Sequence, residues 1–410
     1  MKSSTKKKVS SLVFLCAFTY FISYLTRKNF STVIVAISSG TGILQSDLGV
    51  ALTLNFIAYG AGQLISGFFG DKIQPKKLVA LGLIVTVLMN VLIPIFPNPT
   101  VMSVLWFING FAQAFMWPPI VKIMTSQLTD EEYKKNTQKV GWGSSLATVF
   151  LYLACPLIIR LVGWSGVFYF AAIGGVIGLI YWWITCPEIE LKPKVSDVAE
   201  QKNKKSPFAL VLIPVMVAIV LQGVLRDGVT DWMPPYIKGV FGFSDEISIL
   251  TGVMLPIFAM ICSATATWLV THKIKNPVTC SVLMFGIGSV AAVILALFPS
   301  GNPVLSIAMF TIITACMHGV NLLLICIVPG YFKRTGNVSM ISGVLNCCTY
   351  VGSALSAYVI PLIAESAGGW NLNLLIWAII GVVGTAVCLF TIPGWKKFEK
   401  KLDEEYPVIK

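Results

Sequence analysis

Apolar stretches long enough to cross a lipid bilayer recur along this chain, and they limit its possible folds more than any other feature. Hydropathy delimits twelve of them, at about residues 10–37, 48–70, 78–96, 102–126, 139–162, 165–186, 207–236, 247–271, 277–298, 303–330, 338–364 and 370–393. A helix needs roughly 20 apolar residues to cross the hydrocarbon, and these runs meet that length. With 56% hydrophobic and 12% charged residues, the composition excludes a soluble globular chain. The first run is too long for a signal peptide and has no small-residue cleavage site, so it is expected to be the first span. The fold class predicted is an all-α membrane protein of twelve transmembrane helices.

A net charge of +12 raises the question of nucleic acid, and the placement of the charge answers it. With the N-terminus set in the cytoplasm, 25 of the 30 Lys and Arg residues fall in segments that are then cytoplasmic. The remainder are Arg27, Lys28, Arg160, Arg226 and Lys238. So strong a bias is the positive-inside rule, which predicts a multi-pass protein of the cell membrane with both termini cytoplasmic. The basic residues thus serve orientation in a lipid bilayer, and no nucleic acid partner is expected. The ten cysteines fall almost all within apolar runs and show no CxxC spacing, so neither a disulfide framework nor a metal site is indicated.

The second half of the chain echoes the first. Arg27 and Arg226 stand inside apolar runs at corresponding places, 226 − 27 = 199 residues apart. Asp71-Lys72-Ile73 is echoed by His272-Lys273-Ile274, Tyr133-Lys134-Lys135 by Phe332-Lys333-Arg334, and Trp164 by Trp370. Two six-helix bundles are therefore expected, 1–186 and 207–410, joined by a polar cytoplasmic linker at 187–206. Two pseudo-symmetric bundles of this kind resemble the major facilitator fold, in which the substrate site lies at the midplane between the halves. The loop GDKIQPKK after the second run resembles that superfamily's Gly/Asp/basic loop.

A guanidinium keeps its charge, and burying it in hydrocarbon costs several kcal/mol even on lenient scales of about 2.5–3.5. Such a residue faces a water-filled path, a counter-ion or an anionic substrate. Tyr20, Tyr24, Arg27 and Ser31 are spaced 4, 3 and 4, which puts them on one helical face. Gln222, Arg226 and Thr230 are spaced likewise by four. Each arginine thus stands in a polar stripe suited to a cavity, and its planar fork suits bidentate contact with phosphate oxygens. The competing reading is that each arginine pairs with an acid and fastens helices, with Asp227 and Asp231 as the available deep acids. Lys28 and Asp231 turn away from the arginine faces and are candidates for an ion pair that joins the halves. His318 is the only deep histidine, a candidate for titration or for donation to a substrate oxygen. No nucleophile–base pair or metal-ligand set appears in the spans, so an enzyme is not expected, no catalytic residue is assigned, and no cofactor is expected.

At these residues the chain resembles the organophosphate:phosphate antiporters of the major facilitator superfamily. Tyr24-Leu25-Thr26-Arg27-Lys28-Asn29-Phe30 is similar to that family's first-span Y-x-x-R-K-N-F, and Leu225 to Trp232 to its seventh-span L-R-x-G-x-x-D-W. Asp47-Leu48-Gly49, Ile57-Ala58-Tyr59-Gly60 and Met116-Trp117-Pro118-Pro119 match further stretches. The resemblance implies that Arg27 and Arg226 grip a phosphate, that Tyr20, Tyr24 and Tyr59 line the site, and that Lys28 and Asp231 form a gating pair. Trp117 and Trp142 match aromatic positions near the cavity. Gln63 stands in a stretch where glycerol-phosphate members carry a lysine, and Leu146 aligns where they carry a histidine, so glycerol 3-phosphate does not follow as substrate. The function expected is exchange of a small organic phosphate for inorganic phosphate by a monomer through alternating access. Two facing cations in an empty site would make that exchange obligatory. The alternatives are a carrier of carboxylates or other organic anions, and a transporter-like sugar-phosphate sensor.

Overall fold

Hydrocarbon cannot satisfy backbone polar groups, and a helix satisfies its own. In the computed structural model, which describes residues 2–69, 73–188, 209–332 and 338–405, the chain is helical nearly throughout, with no strand among the described residues. The helices are α1 (Lys2–Thr32), α2 (Ile34–Thr41), α3 (Gln45–Phe69), α4 (Pro75–Ile95), α5 (Pro99–Gln113), α6 (Trp117–Gln127), α7 (Asp130–Thr185), α8 (Ala209–Phe241) and α9 (Asp245–Thr251). There follow α10 (Met254–His272), α11 (Pro277–Leu297), α12 (Pro303–Asn321), α13 (Val328–Tyr331), α14 (Val338–Ala364) and α15 (Gly369–Glu405), with a π-helical segment, Leu322–Ile327, between α12 and α13. Gly70, Asp71 and Lys72 of the basic loop, residues 189–206 of the expected linker 187–206 and Lys333-Arg334 of the second echo lie outside the described residues.

Ten helical stretches among the described residues are long and apolar enough to cross a bilayer. Two of the twelve expected runs, 139–162 and 165–186, lie within a single one, Glu131–Thr185. Between them Gly163 leaves the helical region at φ 75°, ψ 179°, a backbone conformation that favours glycine, and divides α7 into two arms. The run at 48–70 corresponds to α3, 25 residues long but diluted by Asp47, Asn55 and Gln63, and not among the ten. Outward apolar side chains such as Leu157, Leu161, Ile173, Ile184 and Val304 are more than half exposed, as a lipid-facing surface requires.

Helix starts follow local chemistry. Asn98, Asn276 and Asn302 each precede a proline, and each side chain accepts from backbone N–H groups of the first turn, of α5, α11 and α12 respectively. Asparagine satisfies otherwise orphaned donors, while proline at the first helical position gives up an N–H that has no partner. A reciprocal Thr129–Glu132 capping box begins α7.

The chain forms two compact units. One draws on Met1–Pro193 and Met233–Ile257, the other on Lys194–Trp232 and Phe258–Lys410. In the first, α1 packs most extensively on α7, and α3 on α5. Rings of Phe30, Trp106 and Phe168 meet at its core with centroids 4.9–6.0 Å apart. In the second unit α11 packs on α15 and on α12. There α8 and α14 cross so closely that a Cβ at Gly352 would stand 2.1 Å from the Val220 carbonyl oxygen.

Buried amides fix α1 against α4 and α5. The Thr26 carbonyl accepts from Asn90 Nδ2 (3.0 Å) and Asn109 Nδ2 (3.3 Å). Gln113 Nε2 donates to the hydroxyls of Thr26 (3.0 Å) and Thr86 (3.2 Å), and its Oε1 accepts from Ser23 Oγ at 2.5 Å. Asn29 Nδ2 donates to Asn90 Oδ1 at 2.7 Å. Asn29, Asn90, Asn109 and Gln113 are all fully buried.

Two stability predictions follow from this packing. Asn90→Leu strands the Asn29 amide in an apolar setting and is expected to cost about 1–3 kcal/mol, read as a lowered Tm of the detergent-purified protein. Lipid-facing Leu161→Ala is the control, expected to stay within about 0.5 kcal/mol. Gly352→Val must push α14 off α8, with an expected loss of about 1–3 kcal/mol in the same assay. An unchanged Tm would contradict the close crossing.

Candidate functional site

Each unit holds one of the two arginines, and the two are held differently. Arg27 lies on α1, one residue beyond the Thr26 carbonyl that accepts the two amides, so its backbone is among the best-fixed in the unit. Its guanidinium carbon stands 4.4 Å from the ring centroid of Tyr24 and 4.3 Å from that of Tyr59 on α3. Aromatic faces attract a cation by about 0.5–2 kcal/mol and more strongly where water is excluded. Arg27 is only 9% exposed.

The tyrosines continue into a larger cluster. Tyr24 meets Tyr20 edge-on at 5.1 Å, and Tyr20 meets Trp117, the first residue of α6, at 4.6 Å. Gln63 Nε2 donates to Tyr59 Oη at 2.9 Å from one turn further along α3. Tyr20, Tyr24, Arg27, Tyr59, Gln63 and Trp117 are thus brought together as a chain of contacts across three helices. Trp142 is not brought into it: the indole lies on α7, about half exposed, as does Leu146 one turn on. Lys28 points away from the arginine's face, its Nζ 5.5 Å from the Phe56 ring centroid.

Arg226 lies on α8 in the second unit. Its Nη2 donates to Asp227 Oδ2 at 2.6 Å and its Nε to Asp227 Oδ1 at 3.3 Å. Ser353 Oγ on α14 donates to the same Oδ2 at 2.5 Å. Arg226 therefore has the acidic partner that sequence reasoning weighed only as a rival to anion binding, and Ser353 went unforeseen. Gln222, one turn earlier, donates to the Met317 carbonyl at 3.1 Å, and the Thr230 hydroxyl donates back to the Arg226 carbonyl at 2.6 Å. Asp231 is buried in this unit at 3% exposure.

His318 follows Met317 on α12 and is partly buried, one turn before the π-helical segment Leu322–Ile327. A π-helix widens the backbone and is frequent at functional positions. Neither this segment nor the amide network behind Arg27 was anticipated. A signal for the network was present, since Asn90, Asn109 and Gln113 interrupt apolar runs, and buried polar residues in spans are costly unless they serve a purpose.

Each centre presents a mostly buried guanidinium, and among the described residues no cluster suited to a metal ion occurs. Comparison with known proteins agrees with a transport role. The family model described as Major Facilitator Superfamily matches residues 16–339. The chain is 24% identical over 402 residues to the glycerol-3-phosphate transporter of Bacillus subtilis (strain 168), covering 89% of this chain and 88% of that protein. It is 26% identical over 195 residues to a probable hexose phosphate transport protein of Chlamydia muridarum (strain MoPn / Nigg), covering 47% of this chain and 42% of that one. A solved bacterial homolog of the human lysosomal transporter Spinster, inward-facing and occupied, shares the fold with a TM-score of 0.80 at 12% identity, over 94% of this chain and 97% of that chain. The chain is a multi-pass membrane transporter rather than an enzyme: it belongs to the Major Facilitator Superfamily, and its relatives agree with the organophosphate:phosphate antiporter family that its motifs resemble.

Proposed function

We propose that the protein moves a small organic phosphate ester across the cell membrane in exchange for inorganic phosphate. The reading takes twelve spans in two six-helix halves, 1–186 and 207–410, joined by the linker 187–206, with both termini cytoplasmic and the monomer as the working unit. Arg27 and Arg226 are the phosphate ligands, and the halves alternate access around the bound anion. Tyr20, Tyr24, Tyr59, Gln63 and Trp117 shape the pocket for the organic moiety, with Trp142 and His318 as further lining positions.

The observation that carries this reading is the holding of Arg27. A guanidinium whose carbon lies over two tyrosine rings at 4.4 and 4.3 Å carries in-plane N–H edges suited to the oxygens of an anion. An anion with several oxygens meets those edges, and a phosphate does so with two oxygens at once. Lysine supplies charge without the planar fork, so a purely structural cation would tolerate it and a phosphate ligand would not.

Arg27→Lys and Arg226→Lys are each expected to reduce exchange of labelled phosphate in proteoliposomes. Loss of one charge-assisted hydrogen bond, at about 1.5–3 kcal/mol, corresponds to a fall of roughly ten- to hundredfold. Wild-type rates in both variants would refute the phosphate clamp. A panel of phosphorylated and carboxylated metabolites, competing against labelled phosphate, separates a phosphate carrier from a carboxylate carrier.

Lys28 and Asp231 are proposed as a pair that forms and breaks in the cycle. Lys28→Asp and Asp231→Lys should each impair exchange, and the double reversal should recover part of it. No recovery in well-expressed protein would remove the pair from the mechanism.

A further inference from the structure

We propose that the second unit holds a binding site for one anionic phospholipid. Its acyl chain occupies a cavity of about 350 Å³ between the start of α8 and the end of α15, and its headgroup phosphate meets Lys397 and Lys401. The site stands apart from the arginine centre of the same unit. Arg226 lies 226 − 214 = 12 residues beyond Pro214 on α8, about 18 Å at 1.5 Å per residue.

Two helical faces make the cavity. Leu210 and Pro214 on α8 are four residues apart, and Phe390, Gly394, Lys397 and Lys401 on α15 are spaced 4, 3 and 4. Each set therefore lies along one side of its helix. Where the faces meet, Gly394 lacks a side chain. A Cβ there would stand 3.9 Å from Val211 Cγ2, with no closer atom from another helix. Phe390 and Leu210, 85% and 78% exposed, open the apolar wall to the hydrocarbon. Lys397 and Lys401 follow Phe390 by 7 and 11 residues, about 10 and 16 Å along the helix. Charge thus succeeds apolar surface in the order in which a phosphate succeeds an acyl chain.

The end of α15 that presents these lysines is fastened to its own unit. Phe398 stacks on Phe332 at 5.1 Å, and Trp395 meets Tyr331 edge-on at 5.3 Å. Nearby carboxylates are directed elsewhere: Glu399 Oε2 accepts from Asn276 Nδ2 at 3.5 Å, and Glu404 lies 3.9 Å from Lys400. Among the described residues no Asp or Glu lines the cavity. Lys401 also interacts within the protein, so Lys397 is the principal cation at the mouth. A cationic mouth above an apolar cavity fits an anion with an apolar tail. A soluble anion would leave the apolar wall bare, and a zwitterionic lipid would bring its own cation to the lysines. By the charge bias of the sequence this end of α15 is expected on the cytoplasmic side, where the leaflet carries anionic lipids.

The experiment uses the full chain in a neutral detergent and follows Tm as short-chain phosphatidylglycerol or phosphatidylcholine is added. Phosphatidylglycerol is expected to raise Tm saturably, and phosphatidylcholine much less. In Lys397→Gln the half-saturating phosphatidylglycerol concentration should rise about fivefold, the share of one basic residue at an anionic lipid surface. Gly394→Leu fills the cavity and should raise it at least as far. Lys396→Gln, whose side chain is turned about 100° from Lys397 and does not line the cavity, should leave it unchanged. An equal response of the wild type to both lipids overturns the site. So does a phosphatidylglycerol midpoint that Lys397→Gln does not move. Equal weakening by Lys396→Gln and Lys397→Gln reduces the effect to general surface charge and overturns it too. Weakening by Lys397→Gln but not by a folded Gly394→Leu removes the acyl cavity from the proposal. Inorganic phosphate, which the transport reading also expects to stabilise the protein, should do so equally in the wild type and Lys397→Gln. Loss of that stabilisation in Lys397→Gln makes a free anion the occupant, and the lipid assignment falls. If Gly394→Leu does not fold, the comparison of Lys396→Gln with Lys397→Gln still decides.

Discussion

Inside hydrocarbon every polar group must find its partner within the protein, because no water is present to stand in. Helices meet this demand for the backbone, and side chains meet it only through particular neighbours. The Thr26 carbonyl shows the consequence: Asn90 and Asn109 both reach it from other helices, while Gln113 binds the Thr26 hydroxyl beside it. These bonds fix the rotation and depth of α1. Arg27, the next residue, inherits that placement, so the position of the first cation is set by an amide network behind it rather than by its immediate surroundings.

The same demand is met in two other ways at the arginines. Arg27 lies over the rings of Tyr24 and Tyr59, whose faces attract the cation. Arg226 has its charge matched by Asp227, and Ser353 holds the carboxylate in line. Sequence echoes place the two arginines 226 − 27 = 199 residues apart; the first lies over tyrosine rings and the second binds a carboxylate.

Close helix crossings supply what the hydrophobic effect cannot supply in lipid, where side chains exchange one apolar contact for another. Missing side chains let backbones approach, as at Gly143 against the Ala17 carbonyl in the first unit and at Gly352 against the Val220 carbonyl in the second. Both crossings involve the helix that carries the unit's arginine. Each cation-bearing helix is thus gripped by a neighbour at short range, which gives its polar stripe a fixed direction.

Length and hydropathy alone determine the helical membrane class, the approximate spans and the bias of positive charge, because these depend on sums over local segments. The Asn-Pro starts at Asn98, Asn276 and Asn302, and the shared face of Tyr20, Tyr24 and Arg27, are legible for the same reason: capping and the 3.6-residue period are local. Sequence motifs also pointed to Tyr59, Gln63 and Trp117, although not to how they touch. The contact of Tyr59 with Arg27, the isolation of Trp142 from that cluster and the binding of Asp227 by Ser353, 126 residues away, were decided only when distant helices met. Asp227 makes the point most clearly. Its adjacency to Arg226 is visible in the sequence, but whether its carboxylate swings toward that arginine depends on a rotamer, and the rotamer depends on a hydroxyl from α14. Local rules fix which residues share a helix face, whereas the partners that face meets are fixed by long-range packing.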